Sequence, residues 1–129
     1  MSPQQVKLTD AEWRVMECLW ERSPLSGREL TQALEGETGW SRSTILTLLS
    51  RLEGKGAVAG ESAGGPKRYS PRLDREDAAL RETESFLDKV YHGSLSLMVS
   101  ALTQRQALTE GEIQQLHDIL DGLEGGGKS

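Results

Sequence analysis

Three capped helical segments followed by a glycine-rich hairpin constrain the fold of this chain more than any other feature. Residues 9–12 and 26–29 are capping boxes, in which a hydroxyl residue begins a helix and a glutamate three residues later bonds back to its backbone. Ser41 is suited to cap a third helix. Residues 57–62 and 67–71 are then expected to form short strands around an Ala-Gly-Gly-Pro turn. This order predicts a winged helix-turn-helix.

Apolar residues recur at helical spacing in each of the three segments, so one face of each helix is expected to be buried. In the third helix this inward stripe is Ile45, Leu48, Leu49 and Leu52. The second helix is expected to stop at Gly36, since glycine commonly ends a helix.

The opposite face of the third helix carries short hydroxylated side chains and an arginine. Short hydroxylated residues let a helix lie deep in the major groove, where they reach phosphates and base edges. The alternative is an ordinary solvated face, but such faces usually favour Glu, Lys and Gln, which form helices better than Ser and Thr. The composition therefore favours DNA contact.

Positive charge is concentrated around this helix and the hairpin. The whole chain has a net charge of −5, but residues 38–72 hold six Lys or Arg against two Asp or Glu. A local basic patch of this kind suits phosphate binding, and the hairpin adds cations beside a glycine-rich tip. The predicted DNA contacts are Ser41, Arg42, Ser43, Thr44, Leu46, Thr47, Ser50, Arg51, Lys67, Arg68 and Tyr69.

The remainder of the chain is acidic and is predicted to be helical. A long amphipathic helix follows Asp74 and breaks at His92, residues 95–102 fit a helix better than a strand, and a capping box at residues 109–112 begins a last helix. Their apolar stripes could fold back as a monomeric cap or pack against a second copy, and we favour the second. The predicted dimer contacts are Leu87, Val90, Tyr91, Leu95, Met98, Leu102, Ile113, Leu116 and Leu120.

The predicted architecture is therefore mainly α with a small β-hairpin. Residues 1–72 form the winged-helix DNA-binding domain and residues 73–129 a helical dimerisation domain. The start of the chain is polar and no apolar stretch is long enough to span a bilayer, so we expect a cytoplasmic protein without membrane insertion.

Other kinds of site find little support in the sequence. Cys18, His92 and His117 are far apart on separate predicted elements, without metal-ligand spacing. No Gly-x-Ser-x-Gly nucleophile motif occurs. We expect neither catalysis, nor a metal, nor a cofactor.

Two motifs carry a resemblance to a known family. They are Leu-Thr-Asp-Ala-Glu-Trp-Arg-Val-Met at residues 8–16, followed by Leu-Trp at 19–20, and Trp-Ser-Arg-Ser-Thr-Ile-Leu-Thr-Leu-Leu-Ser-Arg-Leu at 40–52, followed by Lys-Gly at 55–56. Residues 86–91, 93–95 and 108–120 fit the same pattern. The chain resembles the penicillinase-repressor (BlaI/MecI/CopY) family of bacterial transcriptional regulators.

This resemblance implies a repressor that binds inverted-repeat operators as a homodimer. In the members that respond to β-lactams, and so control antibiotic resistance, a membrane sensor protease leads to cleavage in the dimerisation region. The corresponding bond here is Ala101–Leu102, where members often carry Asn-Phe. Leu46 stands where they often carry Arg or Lys. The copper-responsive branch has a cysteine-rich C-terminal motif that this chain lacks, so copper sensing is not expected.

Two other functions fit a winged helix. The first is a protein-interaction module that never binds DNA, which the hydroxyl and arginine face disfavours. The second is a ligand-sensing regulator of the MarR type, which would need a pocket between its domains.

Overall fold

The computed structural model describes residues 6–126, with side chains described as far as residue 123. In chain order, its elements are α1 (Asp10–Glu21), β1 (Leu25–Ser26), α2 (Gly27–Thr38), α3 (Arg42–Gly54), β2 (Val58–Glu61), β3 (Arg68–Pro71), α4 (Arg75–Tyr91), α5 (Leu95–Gln104) and α6 (Glu110–Gly126). The chain forms two compact units, unit 1 (Met1–Glu82) and unit 2 (Thr83–Ser129). The functional division at residue 72 stays a prediction.

The predicted helix starts in unit 1 are confirmed. The Thr9 hydroxyl accepts a hydrogen bond from the Glu12 N–H at 3.1 Å, and the Glu12 carboxylate accepts one from the Thr9 N–H at 2.8 Å. Ser26 and Glu29 form the same reciprocal pair, and the Ser41 hydroxyl caps α3 by accepting from the Thr44 N–H. These bonds satisfy amide groups that the first turn of a helix leaves without partners.

The predicted end of α2 at Gly36 is wrong. The helix continues to Thr38 and ends at Gly39, whose φ of 67° is left-handed. Glycine adopts this conformation without the steric cost that a Cβ brings, whereas Gly36 sits in the helix at a modest cost in propensity. Gly39 therefore sets the short turn between α2 and α3.

The hairpin belongs to a sheet of three antiparallel strands in the order β1-β3-β2. Tyr69 in the central strand lies opposite Leu25 of β1 and Gly60 of β2. Strand β1 was not anticipated from the sequence. It joins the hairpin to the first turn of α2 and so fixes the hairpin next to the helices.

One hydrophobic core holds unit 1 together. The predicted inward stripe of α3 is confirmed, since Ile45, Leu49 and Leu52 are fully buried and Leu48 is 5% exposed. The other buried apolar residues come from α1, α2, the sheet and the turn before β2: Val15, Met16, Leu19, Leu25, Leu30, Leu34, Ala57, Val58 and Tyr69. Burial of these side chains is the main stabilising contribution to this unit.

The first turn of α4 is fastened to α1 within unit 1. The Trp20 indole N–H donates to the Leu73 carbonyl at 2.8 Å, and Arg75 pairs with Glu17 at 2.8 Å. The helix ends at His92 and Gly93, whose φ angles of 53° and 80° confirm the predicted break.

Unit 2 contains the rest of α4 together with α5 and α6. The helix predicted over residues 95–102 is confirmed and continues to residue 104, and the capping box at Thr109 and Glu112 is formed. None of the side chains described in this unit is buried. Among the described helices, none is both long and apolar enough to cross a membrane.

Candidate nucleic-acid interface

The outer face of α3 is open to solvent along its whole length. All eight of the residues predicted on it are exposed, and its first turn holds no acidic residue. They are Ser41, Arg42, Ser43, Thr44, Leu46, Thr47, Ser50 and Arg51. The structure therefore brings these predicted residues together on one surface.

Hydroxyl groups cluster at the N-terminal end of this face. The Ser41 Oγ lies 3.0 Å from the Ser43 Oγ and 3.2 Å from the Thr44 Oγ1. One turn further on, the Thr47 hydroxyl donates to the Ser43 carbonyl at 2.9 Å. A hydroxyl group can donate its hydrogen to a phosphate oxygen or accept one from a base amino group, and the helix N-terminus adds a partial positive charge. The arrangement can bind phosphate oxygens and the polar edges of bases.

Leu46 is the apolar member of this face. Its side chain is 41% exposed. Its Cδ2 lies 3.0 Å from the position that a Cβ on Gly27 would occupy, so it also packs on the start of α2. It can offer a base only an apolar contact, such as one to a thymine methyl.

The hairpin presents two of its three predicted contact residues. Lys67 and Arg68 have side chains that are 43% and 49% exposed. Lys67 lies 2.9 Å from a Glu53 carboxylate oxygen, and Arg68 lies 3.4 Å from one of Glu29. Two cations thus lie beside the outer face of α3, and each has a carboxylate neighbour.

These neighbouring groups shift the pKa values of Lys67 and Glu29. The hydrogen bond to Glu53 raises the pKa of Lys67, which remains fully charged at neutral pH. The backbone N–H of Ser26, followed by the charge of Arg68, lowers the pKa of Glu29. Lys67 and Glu29 are therefore both charged at neutral pH.

Tyr69 must be removed from the candidate interface. It is only 7% exposed and belongs to the core. Side chains alternate between the two faces of a strand, so Tyr69 points inward while Arg68 points outward. Its ring instead supports the hairpin, with the Lys67 ammonium 5.4 Å from its centroid.

The C-terminal end of α3 is held by Lys55, which sequence reasoning did not single out. Its ammonium donates to the Lys7 carbonyl at 2.7 Å and also to the carboxylate of Glu12. Burial of that carboxyl acts to raise its pKa, but the hydrogen bonds from Lys55 and from Thr9 lower it below the usual value. Lys55 therefore fastens the end of α3 to the start of α1.

The residues predicted to form a dimer all lie beyond the first turns of α4. Val90, Leu95 and Leu120 have exposed fractions of 46%, 55% and 53%, and the remaining predicted contacts are half-buried. Ala101 and Leu102, the predicted cleavage position, are half-buried within α5.

Cys18 lies half-buried in a cleft of about 700 Å³ beside charged residues of α1 and α2. Burial raises the pKa of its thiol, so the reactive thiolate is disfavoured at neutral pH. In the described part of the chain, no group of three or more His, Cys, Asp or Glu is placed to hold a metal ion.

Unit 1 combines three helices with a three-stranded sheet, and its third helix is exposed beside the hairpin. This arrangement defines a winged helix-turn-helix protein. A sequence model described as "Penicillinase repressor" matches residues 8–122. The chain therefore belongs to the penicillinase repressor family. This is a family of DNA-binding transcriptional repressors rather than enzymes, which confirms the predicted family and class of protein.

Curated relatives match along most of their length. The chain is 34% identical to the penicillinase repressor of Bacillus licheniformis over 115 residues, covering 89% of this chain and 90% of the relative. It is 26% identical to the methicillin resistance regulatory protein MecI of Staphylococcus aureus, covering 94% and 98%.

Solved structures of a relative match the N-terminal part of the fold. The DNA-binding domain of the repressor BlaI aligns with a TM-score of 0.51 and 34% identity, covering 59% of this chain and 90% of that domain. The monomeric form of Bacillus licheniformis BlaI in complex with the blaP half-operator aligns with a TM-score of 0.50 and 35% identity, covering 56% and 88%. These likenesses confirm the predicted winged-helix fold.

Proposed function

We propose that this protein represses transcription by placing α3 in the major groove of an operator, with the hairpin on the flanking backbone. The observation that carries the proposal is the outer face of α3, where eight exposed residues include five hydroxyl groups and two arginines but no carboxylate. Its relative BlaI has been solved in complex with the blaP half-operator, which supports the same use of this fold here.

The contacts would fall into two classes. The hydroxyls of Thr47 and Ser50 and the guanidinium of Arg51 lie on the middle and end of α3, and they would meet base edges when the helix lies along the major groove. Arg42 at the start of α3, with Lys67 and Arg68 in the hairpin, would contact phosphates and fix the position of the helix. The first class supplies sequence specificity, while the second supplies affinity on any sequence.

We further propose that the functional form is a homodimer on inverted repeats. Unit 2 exposes large apolar side chains on each of its helices, including Phe86, Leu97 and Ile119, which are 49%, 53% and 59% exposed. Such side chains favour burial against a second copy. A twofold dimer presents two recognition helices to two half-sites, and the operator would share that symmetry. The protein would act in the cytoplasm, where bacterial DNA lies.

Relief of repression by a membrane sensor protease is the last part of the proposal. The Ala101 carbonyl accepts a hydrogen bond from the Arg105 N–H, and the Leu102 carbonyl accepts one from the Ala107 N–H. A protease needs an extended substrate, so the end of α5 would have to open before the Ala101–Leu102 bond is cut. In cells that carry the sensor and receive a β-lactam, mass spectrometry should detect a fragment that ends at Ala101. Persistence of the intact chain during induction would contradict this step.

DNA binding itself is tested by selection and titration. DNA bound to the protein in cells is sequenced, and the selected duplex is titrated at several salt concentrations. We expect inverted repeats and an affinity that falls steeply with salt. Arg51→Ala should weaken binding, whereas Arg14→Ala removes the same charge from α1 and should not. Failure of the intact chain to bind any duplex at low salt would favour a protein-interaction module instead.

A further inference from the structure

Both cations of the hairpin have carboxylate partners within unit 1. Lys67 pairs with Glu53 of α3 at 2.9 Å, and Arg68 pairs with Glu29 of α2 at 3.4 Å. Arg68 also lies opposite Glu61 in the strand register. Two of the three charges that the proposed function assigns to phosphate are therefore occupied when no DNA is bound.

The local backbone makes room for the pair between Lys67 and Glu53. A Cβ at Gly60 would overlap the Lys67 Cε, and it would lie 3.3 Å from both the Glu53 Oε2 and the Tyr69 Cε2. The Lys67 side chain therefore runs across Gly60, beside the Tyr69 ring, to reach the carboxylate on α3. A glycine in β2 provides this path.

Stabilisation of the fold is a weak explanation for these pairs. Their side chains are 37–49% exposed, and exposed ion pairs contribute little to folding. Negative charge is also scarce in this region, because residues 38–72 contain only two acidic residues, Glu53 and Glu61. Glu53 is one of these two residues and lies at the end of α3. We therefore expect its carboxylate to affect DNA affinity more than stability.

We propose that Glu53 and Glu29 compete with DNA phosphate for Lys67 and Arg68 and so limit the protein's affinity for DNA in general. This inference rests on the proposed function. Phosphates occur on every sequence, so the competition lowers operator and non-operator affinity alike. Discrimination between sequences is then left to α3, and the protein leaves non-operator DNA more readily.

The test is a titration of the full-length protein with a labelled non-operator duplex at fixed salt. Glu53→Gln should bind about two- to fivefold tighter, the range that one exposed ion pair can account for. Glu29→Gln should also tighten binding, because it releases Arg68. The fold should tolerate this change, since glutamine can still serve the capping box. Glu21→Gln removes the same charge from α1 and is the matched control, with no gain expected.

Two further variants separate competition for Lys67 from a general change in charge. Gly60→Ala displaces the lysine from Glu53 without altering any charge and should also tighten binding. In a Lys67→Gln background, Glu53→Gln should give no gain, because the cation that it releases is absent. A Glu53→Gln protein that binds no tighter, or a gain that persists without Lys67, would overturn the proposal. If the unmodified chain binds no DNA at low salt, the proposed function fails instead.

Discussion

The Lys55 ammonium lies 2.5 Å from Oε1 of Glu12, a carboxylate whose side chain is fully buried. The same oxygen accepts the Thr9 N–H, while Oε2 has no hydrogen-bond partner among the residues that the structure describes. A buried carboxylate is stable only when its charge is compensated, so Glu12 depends on Lys55. Since Lys55 caps α3 and Glu12 begins α1, the pair fixes one end of the recognition helix to the rest of unit 1.

Glu12→Ala should lower the free energy of unfolding by about 2–3 kcal/mol, because it removes a helix cap and a charged hydrogen bond together. Glu29→Ala is the matched control, since Glu29 has the same capping geometry but is more exposed. Urea unfolding followed by circular dichroism measures both, and the control should lose less. Equal losses would mean that the bond to Lys55 adds nothing.

The Glu12 carboxyl should also make stability depend on pH. Its pKa is lowered from 4.5 in the folded protein, so the unfolded chain binds more protons as the pH falls. Its stabilising contribution is complete above about pH 4.5 and is lost as the pH falls through the lower folded pKa. Urea titrations from pH 7 to pH 3 should show this loss in the unmodified protein. Glu12→Gln should show a weaker pH dependence, and an identical profile would contradict the assignment.

Local sequence signals were sufficient to predict those features of an element that depend on its own residues. The caps at Thr9, Ser26 and Ser41 follow from hydroxyl and glutamate spacing, and the buried face of α3 follows from periodicity. The break at His92 was likewise predicted from sequence.

Features that depend on partners distant in sequence were missed. Strand β1 has only two residues, and its register with Tyr69 exists only in the folded chain. The same holds for the bonds from Lys55 to Glu12 and from Lys67 to Glu53. The burial of Tyr69 could have been predicted from strand alternation, but its place beside two cations favoured a surface role. Gly36 lacked any signal to distinguish it from Gly39 as the end of α2.

Thr47 and Leu48 are adjacent on α3 and should respond in opposite ways to substitution. Thr47 is exposed, so Thr47→Ala should weaken operator binding with little change in stability. Leu48 is 5% exposed, so Leu48→Ala should cost roughly 2–5 kcal/mol of folding free energy. Thermal melts and DNA titrations measure the two effects. The reverse pattern would mean that α3 presents a different face to DNA.

Lys67→Ala and Arg68→Ala should each weaken DNA binding and reduce the salt dependence. A cation that contacts phosphate displaces about one counterion, so the slope of log affinity against log salt should fall by about one for each. Arg14→Ala, which removes a charge from α1, should leave the slope unchanged. A Lys67→Ala/Arg68→Ala double variant with the original slope would show that the hairpin does not contact the backbone.

Dimerisation through unit 2 should control operator affinity. Leu120 in α6 is 53% exposed, and it lies on one helical stripe with Ile113 and Leu116. Leu120→Glu would place a charge in the proposed interface, so light scattering should detect a monomer. Two recognition helices on one molecule make the second half-site contact intramolecular, so the monomer should bind the full operator about a hundredfold more weakly.

Gln114→Glu introduces the same charge on the side of α6 opposite Leu116, Ile119 and Leu120, and this control should remain a dimer with the original affinity. A chain that ends at Leu102 lacks α6 and should behave like Leu120→Glu, while a single half-site should bind all these forms with similar affinity. This is how a cut in α5 would relieve repression, since it leaves unit 1 intact and removes only the link between two copies. A dimeric Leu120→Glu protein, or a monomer that binds the full operator as tightly as the intact chain, would contradict the mechanism.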